Sequence, residues 1–178
     1  MTLTSNTTRK GNLMKCIMGT ILLMLIMVTV SNAQTGSVNF SGTWAFNEAK
    51  STPSEGGFRM GAGSYVIKQE GNNLTVDRVS AGPDGTEMKT TSKFTLDGKE
   101  STNVAFGNSN RKSVVKWSAD GKSLSFSHVM KFDMNGETTE IKSSETWKLN
   151  EADKTLIMDS VFNSPNGEMK STNVYDKK

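Results

Sequence analysis

Apolar and polar residues alternate along the chain in ten short runs: 42–48, 64–70, 73–80, 86–96, 101–106, 112–118, 123–133, 138–149, 155–162 and 168–175. Thr, Ser, Val, Phe and Trp dominate these runs, and such side chains suit a pleated, half-buried strand. Turn signals separate them: Glu70-Gly71-Asn72-Asn73, Pro83-Asp84-Gly85, Asp97-Gly98, Asp120-Gly121, Asn135-Gly136, Glu151-Ala152-Asp153-Lys154 and Pro165-Asn166-Gly167. Asn-Gly and Asp-Gly tolerate positive φ, so they close tight hairpins whose twist matches the flanking strands. Helical periodicity is nearly absent; Asn47–Ser51 is the one candidate, and it is too short to matter. A meander of such hairpins curls, because strands twist, and it removes its exposed edges by closing. The pattern therefore predicts an all-β, antiparallel up-and-down β-barrel of about eight to ten strands. A β-sandwich is the alternative, which the short connections disfavour.

Alternation also assigns faces. Leu124, Phe126, His128 and Met130 share one side of 123–133, and Ile141, Ser143, Glu145, Trp147 and Leu149 share one side of 138–149. Leu74, Val76, Arg78 and Ser80 fall together, as do Met88, Thr90, Ser92, Phe94 and Leu96. The interior so predicted mixes apolar walls with Arg78, His128 and Glu145. A lone buried charge is very unfavourable. Either Arg78 and Glu145 pair, or water and a ligand reach them, or Arg78 lies at a strand end with its guanidinium in solvent. For His128 the plain reading is a satisfied core or rim imidazole, and for Glu145 a barrel-end residue. Ser101-Thr102-Asn103-Val104 recurs as Ser171-Thr172-Asn173-Val174, which similar hairpins and duplication would both produce.

Charge changes the picture at the N-terminus. The three surplus cations, Arg9, Lys10 and Lys15, all precede residue 34, so 21 basic residues become 18 beyond it, equal to the 18 acidic ones. Residues 1–33 read as a secretory signal peptide: a basic segment, the apolar run Cys16–Val30, then Ser31-Asn32-Ala33 with small residues at the cleavage positions. Met14 is an alternative start, and a retained anchor is the alternative fate of the segment. The remaining 145 residues (178 less 33) suffice for one core and are read as one domain, 34–178. A neutral exported domain has no electrostatic footprint for nucleic acid or an anionic membrane. One His and no Cys beyond residue 33 leave no basis for disulfides, thiolate zinc sites or a Cys nucleophile.

Phe40-Ser41-Gly42-Thr43-Trp44-Ala45-Phe46 opens the domain. This segment resembles the Gly-X-Trp opening of the lipocalin and wider calycin group. Residues 38–178 resemble the secreted bacterial lipocalin-like domains. The resemblance implies an up-and-down barrel with a cavity for a small apolar or amphipathic ligand, and Trp44 closing one barrel end. In that group an Arg from the last strand commonly packs over that Trp; this sequence departs from the pattern, since 155–176 holds no Arg and only Lys170 nearby.

Enzymatic signals are thin. No Gly-X-Ser-X-Gly elbow and no His-Glu-X-X-His occurs. The Gly-rich stretch 56–63 lacks the Lys-Ser/Thr of a phosphate loop, so it reads as a flexible loop at a barrel mouth. Acidic residues are scattered, so neither calcium nor any other metal or cofactor is called for. The expected function is a periplasmic or secreted, non-enzymatic protein that binds a small lipophilic or amphipathic molecule. Trp44, Phe94, Phe126, Met130, Ile141 and Trp147 are the expected apolar contacts, and Arg78, His128, Ser143 and Glu145 the polar ones. The alternative is an envelope or secreted interaction module with a filled barrel.

Overall fold

A computed structural model describes residues 37–54, 63–81, 85–105, 109–134, 137–152, 154–164 and 167–178. The expected leader and most of the Gly-rich stretch 56–63 lie outside them. Ten strands follow in order: β1 (Gly42–Thr52), β2 (Ser64–Glu70), β3 (Asn73–Ala81), β4 (Glu87–Thr95), β5 (Glu100–Val104), β6 (Asn110–Trp117), β7 (Ser123–Met134), β8 (Glu137–Asn150), β9 (Thr155–Ser164) and β10 (Gly167–Lys177). They lie in the order β4-β3-β2-β1-β10-β9-β8-β7-β6-β5, so every neighbour is sequential except β1 with β10, and all nine pairs are antiparallel. The meander closes through its own ends into a nearly complete barrel.

The remaining seam, between β4 and β5, is bridged by side chains. Lys93 N donates to Asn103 Oδ1 (2.7 Å), Asn103 Nδ2 donates to Lys93 O (2.9 Å), and Thr95 N donates to Ser101 Oγ (3.1 Å). The Asn103 carboxamide thus substitutes for one peptide group of a ladder, and it is buried. The turn beneath it is Asp97-Gly98, where Gly98 has φ +80°, open to glycine at little cost. A closer backbone approach fixes β2 beside β3. A Cβ on Gly63 would lie 2.0 Å from Val79 O, and Gly63 O accepts from Phe46 N at 3.2 Å.

Asn47–Ser51, the sole helical candidate, is an irregularity in β1. Between Asn47 and Thr52 that strand advances five residues while β10 moves only from Val174 to Thr172. Lys50 N donates to Asn47 Oδ1, Ser51 Oγ donates to Asn47 O, and Val174 N donates to Ser51 Oγ. Local side-chain bonds of this kind compete with the ladder. They make the stretch look helical in sequence and bulge it in the sheet.

At one end the barrel is packed solid. Phe40, Trp44, Leu74, Val115, Leu124 and Leu156 are each 1% exposed or less. Trp44 Nε1 donates to Phe40 O (3.0 Å), tying the entering segment across the barrel floor. The cation over the indole is Lys177, its Nζ 5.3 Å from the ring centroid. Lys170, the basic residue noted where that Arg is missing, pairs with Glu168 at 2.8 Å on the surface. Lys177 lies just past the stretch 155–176, at the very end of the last strand.

Candidate functional site

The inward positions sort into three tiers, because each strand contributes every second residue and adjacent strands are staggered. The lowest tier is aromatic. Phe126 and Trp147 ring centroids lie 4.4 Å apart, Phe94 and Phe126 5.5 Å, Phe40 and Trp117 6.0 Å, and Phe40 and Trp147 6.2 Å. These faces are taken up by one another.

Above them runs a polar belt. Tyr65 of β2, Arg78 of β3, Ser92 of β4, Arg111 and Ser113 of β6, His128 of β7, Glu145 of β8, Ser160 of β9, and Asn173 and Tyr175 of β10 all occupy inward positions. Registers link several of them directly: Tyr65 opposite Arg78, Ser113 opposite His128, and Glu145 opposite Ser160. Further along the same faces, away from the aromatic tier, lie Met130 and Phe162 one inward step beyond the belt, and Met88, Ile141 and Met169 two steps beyond it. Met130 faces Ile141, and Met169 faces Phe162. Each of these five is partly or fully exposed.

The belt is bonded in part. His128 Nδ1 lies 2.8 Å from Ser113 Oγ, Glu145 Oε2 accepts from Trp147 Nε1 at 2.9 Å, and Glu145 Oε1 stands 3.9 Å from His128 Nε2. Burial holds the imidazole below its ordinary value of 6.5; the Glu145 carboxylate opposes this and the Arg111 guanidinium reinforces it. In the tautomer with Nε2–H toward Glu145, the neutral ring accepts a hydrogen bond from the Ser113 hydroxyl at Nδ1. Ser113 is 1% exposed and bonded to the imidazole, while the 3.9 Å between His128 Nε2 and Glu145 Oε1 is too long for a hydrogen bond.

Tyr65 and Tyr175 stack edge to face at 5.1 Å. Burial pushes both phenols above their ordinary 10.0, while the Arg78 charge pulls both back and Arg111 also pulls on Tyr65. Both guanidiniums thus lie within electrostatic range of Tyr65. Arg111 Nη2 donates to Ser92 Oγ at 3.4 Å. The Nε atoms of Arg78 and of Arg111 are buried and have no hydrogen-bond partner. Among the described residues the belt sets two guanidiniums against one carboxylate, and Arg78 and Glu145 form no ion pair.

The structure gathers Arg78, Phe94, Phe126, His128, Glu145 and Trp147 in and just below this belt, and it places Met130, Ile141 and Ser143 at its upper rim. Trp44 sits apart on the floor. The sequence reading passed over Arg111 because the run was begun at Lys112. It also passed over Tyr65, Ser113, Asn103, Asn173 and Tyr175, for which no face had been assigned. Extending the same alternation back from Trp117 through Val115 and Ser113 reaches Arg111. Among the described residues no three His, Cys, Asp or Glu side chains meet as a metal site.

The barrel has a solved counterpart. The chain is similar to zebrafish ileal bile acid-binding protein complexed with cholic acid, with a TM-score of 0.51 and 17% identity over 78% of this chain and 98% of that one. At such identity the likeness is one of fold: a nearly closed antiparallel β-barrel, as the alternation and hairpins predict. The chain matches no protein-family profile, and no curated protein matches it.

Outside the belt, clefts also mark the surface of the described residues. One of about 520 Å³ lies at the closed end, lined by Val38, Trp44, Leu149, Lys154 and Lys177 among others. Another of about 270 Å³ lies at the seam, where outward Thr75 and Lys93 share an opening with inward Leu74 and Phe94.

Proposed function

We propose that this is a non-enzymatic binding protein that takes a small amphipathic anion into the open half of its barrel. The observation that carries the reading is the pair of buried, unpartnered Nε–H donors on Arg78 and Arg111. Leaving a buried donor unbonded costs about 1–3 kcal/mol, and more for a charged group. A carboxylate or sulfonate oxygen at the belt would satisfy them. Charge agrees: two guanidiniums and one carboxylate leave room for one negative charge.

The tiers set the orientation. Since the aromatic floor is filled, the anionic head descends to the belt. The apolar body then remains against Met88, Met130, Ile141, Phe162 and Met169 at the mouth. This differs from the expected arrangement, in which Trp44, Phe94, Phe126 and Trp147 would have wrapped the ligand. The cholic acid named with the zebrafish protein, an amphipathic acid in a barrel of the same fold, supports the ligand class. The composition of 1–33 supports export, with the barrel acting in the periplasm or outside the cell.

The test is a titration of the purified chain with two fluorescent dyes of similar shape, the anionic anilinonaphthalene sulfonate and the neutral N-phenylnaphthylamine. The reading predicts preference for the sulfonate, and a weakening of about tenfold to a hundredfold on Arg78→Ala, the worth of a charged hydrogen bond. Equal affinity of wild type and Arg78→Ala for the sulfonate would remove the proposed role.

A further inference from the structure

We propose that entry of an anionic head draws one proton from bulk water onto His128, so that binding tightens as pH falls below neutrality. The inference rests on the anion-binding reading above and concerns how that same belt responds to acid. His128 packs between β6, which presents Arg111 and Ser113, and β8, which presents Ser143 and Glu145; Phe94 of β4 approaches with its ring 6.4 Å away. The titratable and charged groups that face it are therefore Glu145 and Arg111.

In the empty barrel, burial and the Arg111 charge both oppose an imidazolium, and Glu145 alone favours it. An anion seated on Arg111 and Arg78 cancels that opposing charge at its source. The surroundings are already arranged for the charged ring. Glu145 Oε1 stands 3.9 Å from Nε2, and Ser113 Oγ, 2.8 Å from Nδ1, becomes an acceptor by turning its hydroxyl. Protonation thus needs no movement of heavy atoms beyond a closing of the His128–Glu145 gap. The ligand stays an anion throughout, and no other bond forms or breaks.

His128 is the only histidine in the chain, which makes the test clean. Affinities of the full chain for anilinonaphthalene sulfonate and N-phenylnaphthylamine are measured from about pH 7.5 to about pH 5.5, where histidine titrates. If the bound anion makes protonation tenfold easier, the sulfonate binds progressively tighter toward the acid end, by up to about tenfold once pH passes the empty-barrel midpoint. The neutral dye changes little, having no charge to offset Arg111. His128→Gln should bind the sulfonate with no such gain, and Glu145→Gln should move the gain to lower pH.

A sulfonate affinity that is flat with pH in the wild type leaves the anion site standing and overturns the coupling. A gain that persists in His128→Gln places the proton elsewhere and overturns it too. Failure of the sulfonate to bind at any pH overturns both readings together. Should His128→Gln not fold, the imidazole resonances of the wild type decide. Their protonation midpoint must rise when the sulfonate is added, and an unmoved midpoint contradicts the proposal.

Discussion

The two halves of this barrel use the same alternating strands for opposite ends. In the closed half, inward side chains meet one another: Phe126 lies on Trp147, Phe94 on Phe126, and Trp44 both packs and donates to Phe40. In the belt one inward step above, Arg78 and Arg111 keep buried donors without partners, and His128 is held neutral between a carboxylate and a guanidinium. The first arrangement yields stability from area and close packing. The second forgoes stability, and strain or unmet polarity of that sort collects where a protein does its work.

The contrast can be broken from either side. The largest expected effect lies on the floor: Phe126→Ala should lose about 3–5 kcal/mol of stability in a denaturant titration, as deletions of buried aromatic rings do. A loss below about 1 kcal/mol would mean that the closed half is loosely packed and the division into tiers is false.

Next comes the backbone that sets β3, and with it Arg78, against β2. Gly63→Ala puts a Cβ 2.0 Å from Val79 O at φ +138°, so we expect a cost of about 2–3 kcal/mol. The same variant should weaken binding of the sulfonate dye, because Val79 adjoins Arg78. Unchanged stability would show that the two strands have room to part.

Smaller effects come from titration. His128 is held below its ordinary 6.5, so the folded state resists its protonation. The stability it contributes is present above that value and is lost as pH falls through it; His128→Gln should flatten the acid limb of a thermal-stability profile. The tyrosines mirror this at the alkaline end. Both are raised above 10.0, so stability is lost once the unfolded chain ionises above that pH. Tyr65 and Tyr175 are the only tyrosines in the chain, so phenolate absorbance should appear together with unfolding. Phenolate formed near pH 10 with the fold intact would place the pair in water and not in the belt.

Much of this was legible in the sequence, for a definite physical reason. Period two fixes which face a residue takes, and so the ten strands, their hairpins and the inward sides of β3, β4, β7 and β8 could be read from residue types alone. Period two does not fix height along the barrel. That depends on the stagger between neighbouring strands, which alternation leaves open. Hence Trp44, Phe94, Phe126 and Trp147 were grouped with Arg78 and His128 as one lining, when the stagger puts the aromatic faces on one another and the charges a step above. Arg111 was lost to a strand started two residues late. Lys177, not Lys170, covers Trp44, because the β1–β10 register sets Lys177 directly opposite it.

The central claim is that the belt forgoes stability in order to hold an anion. It is tested most directly by measuring thermal stability and sulfonate affinity side by side on wild type and Arg78→Met. Methionine fills similar space without the unpaired donor, so we predict equal or higher stability together with a loss of about tenfold or more in affinity. A destabilised Arg78→Met chain that binds the sulfonate as tightly as wild type would make Arg78 a structural residue and contradict the account.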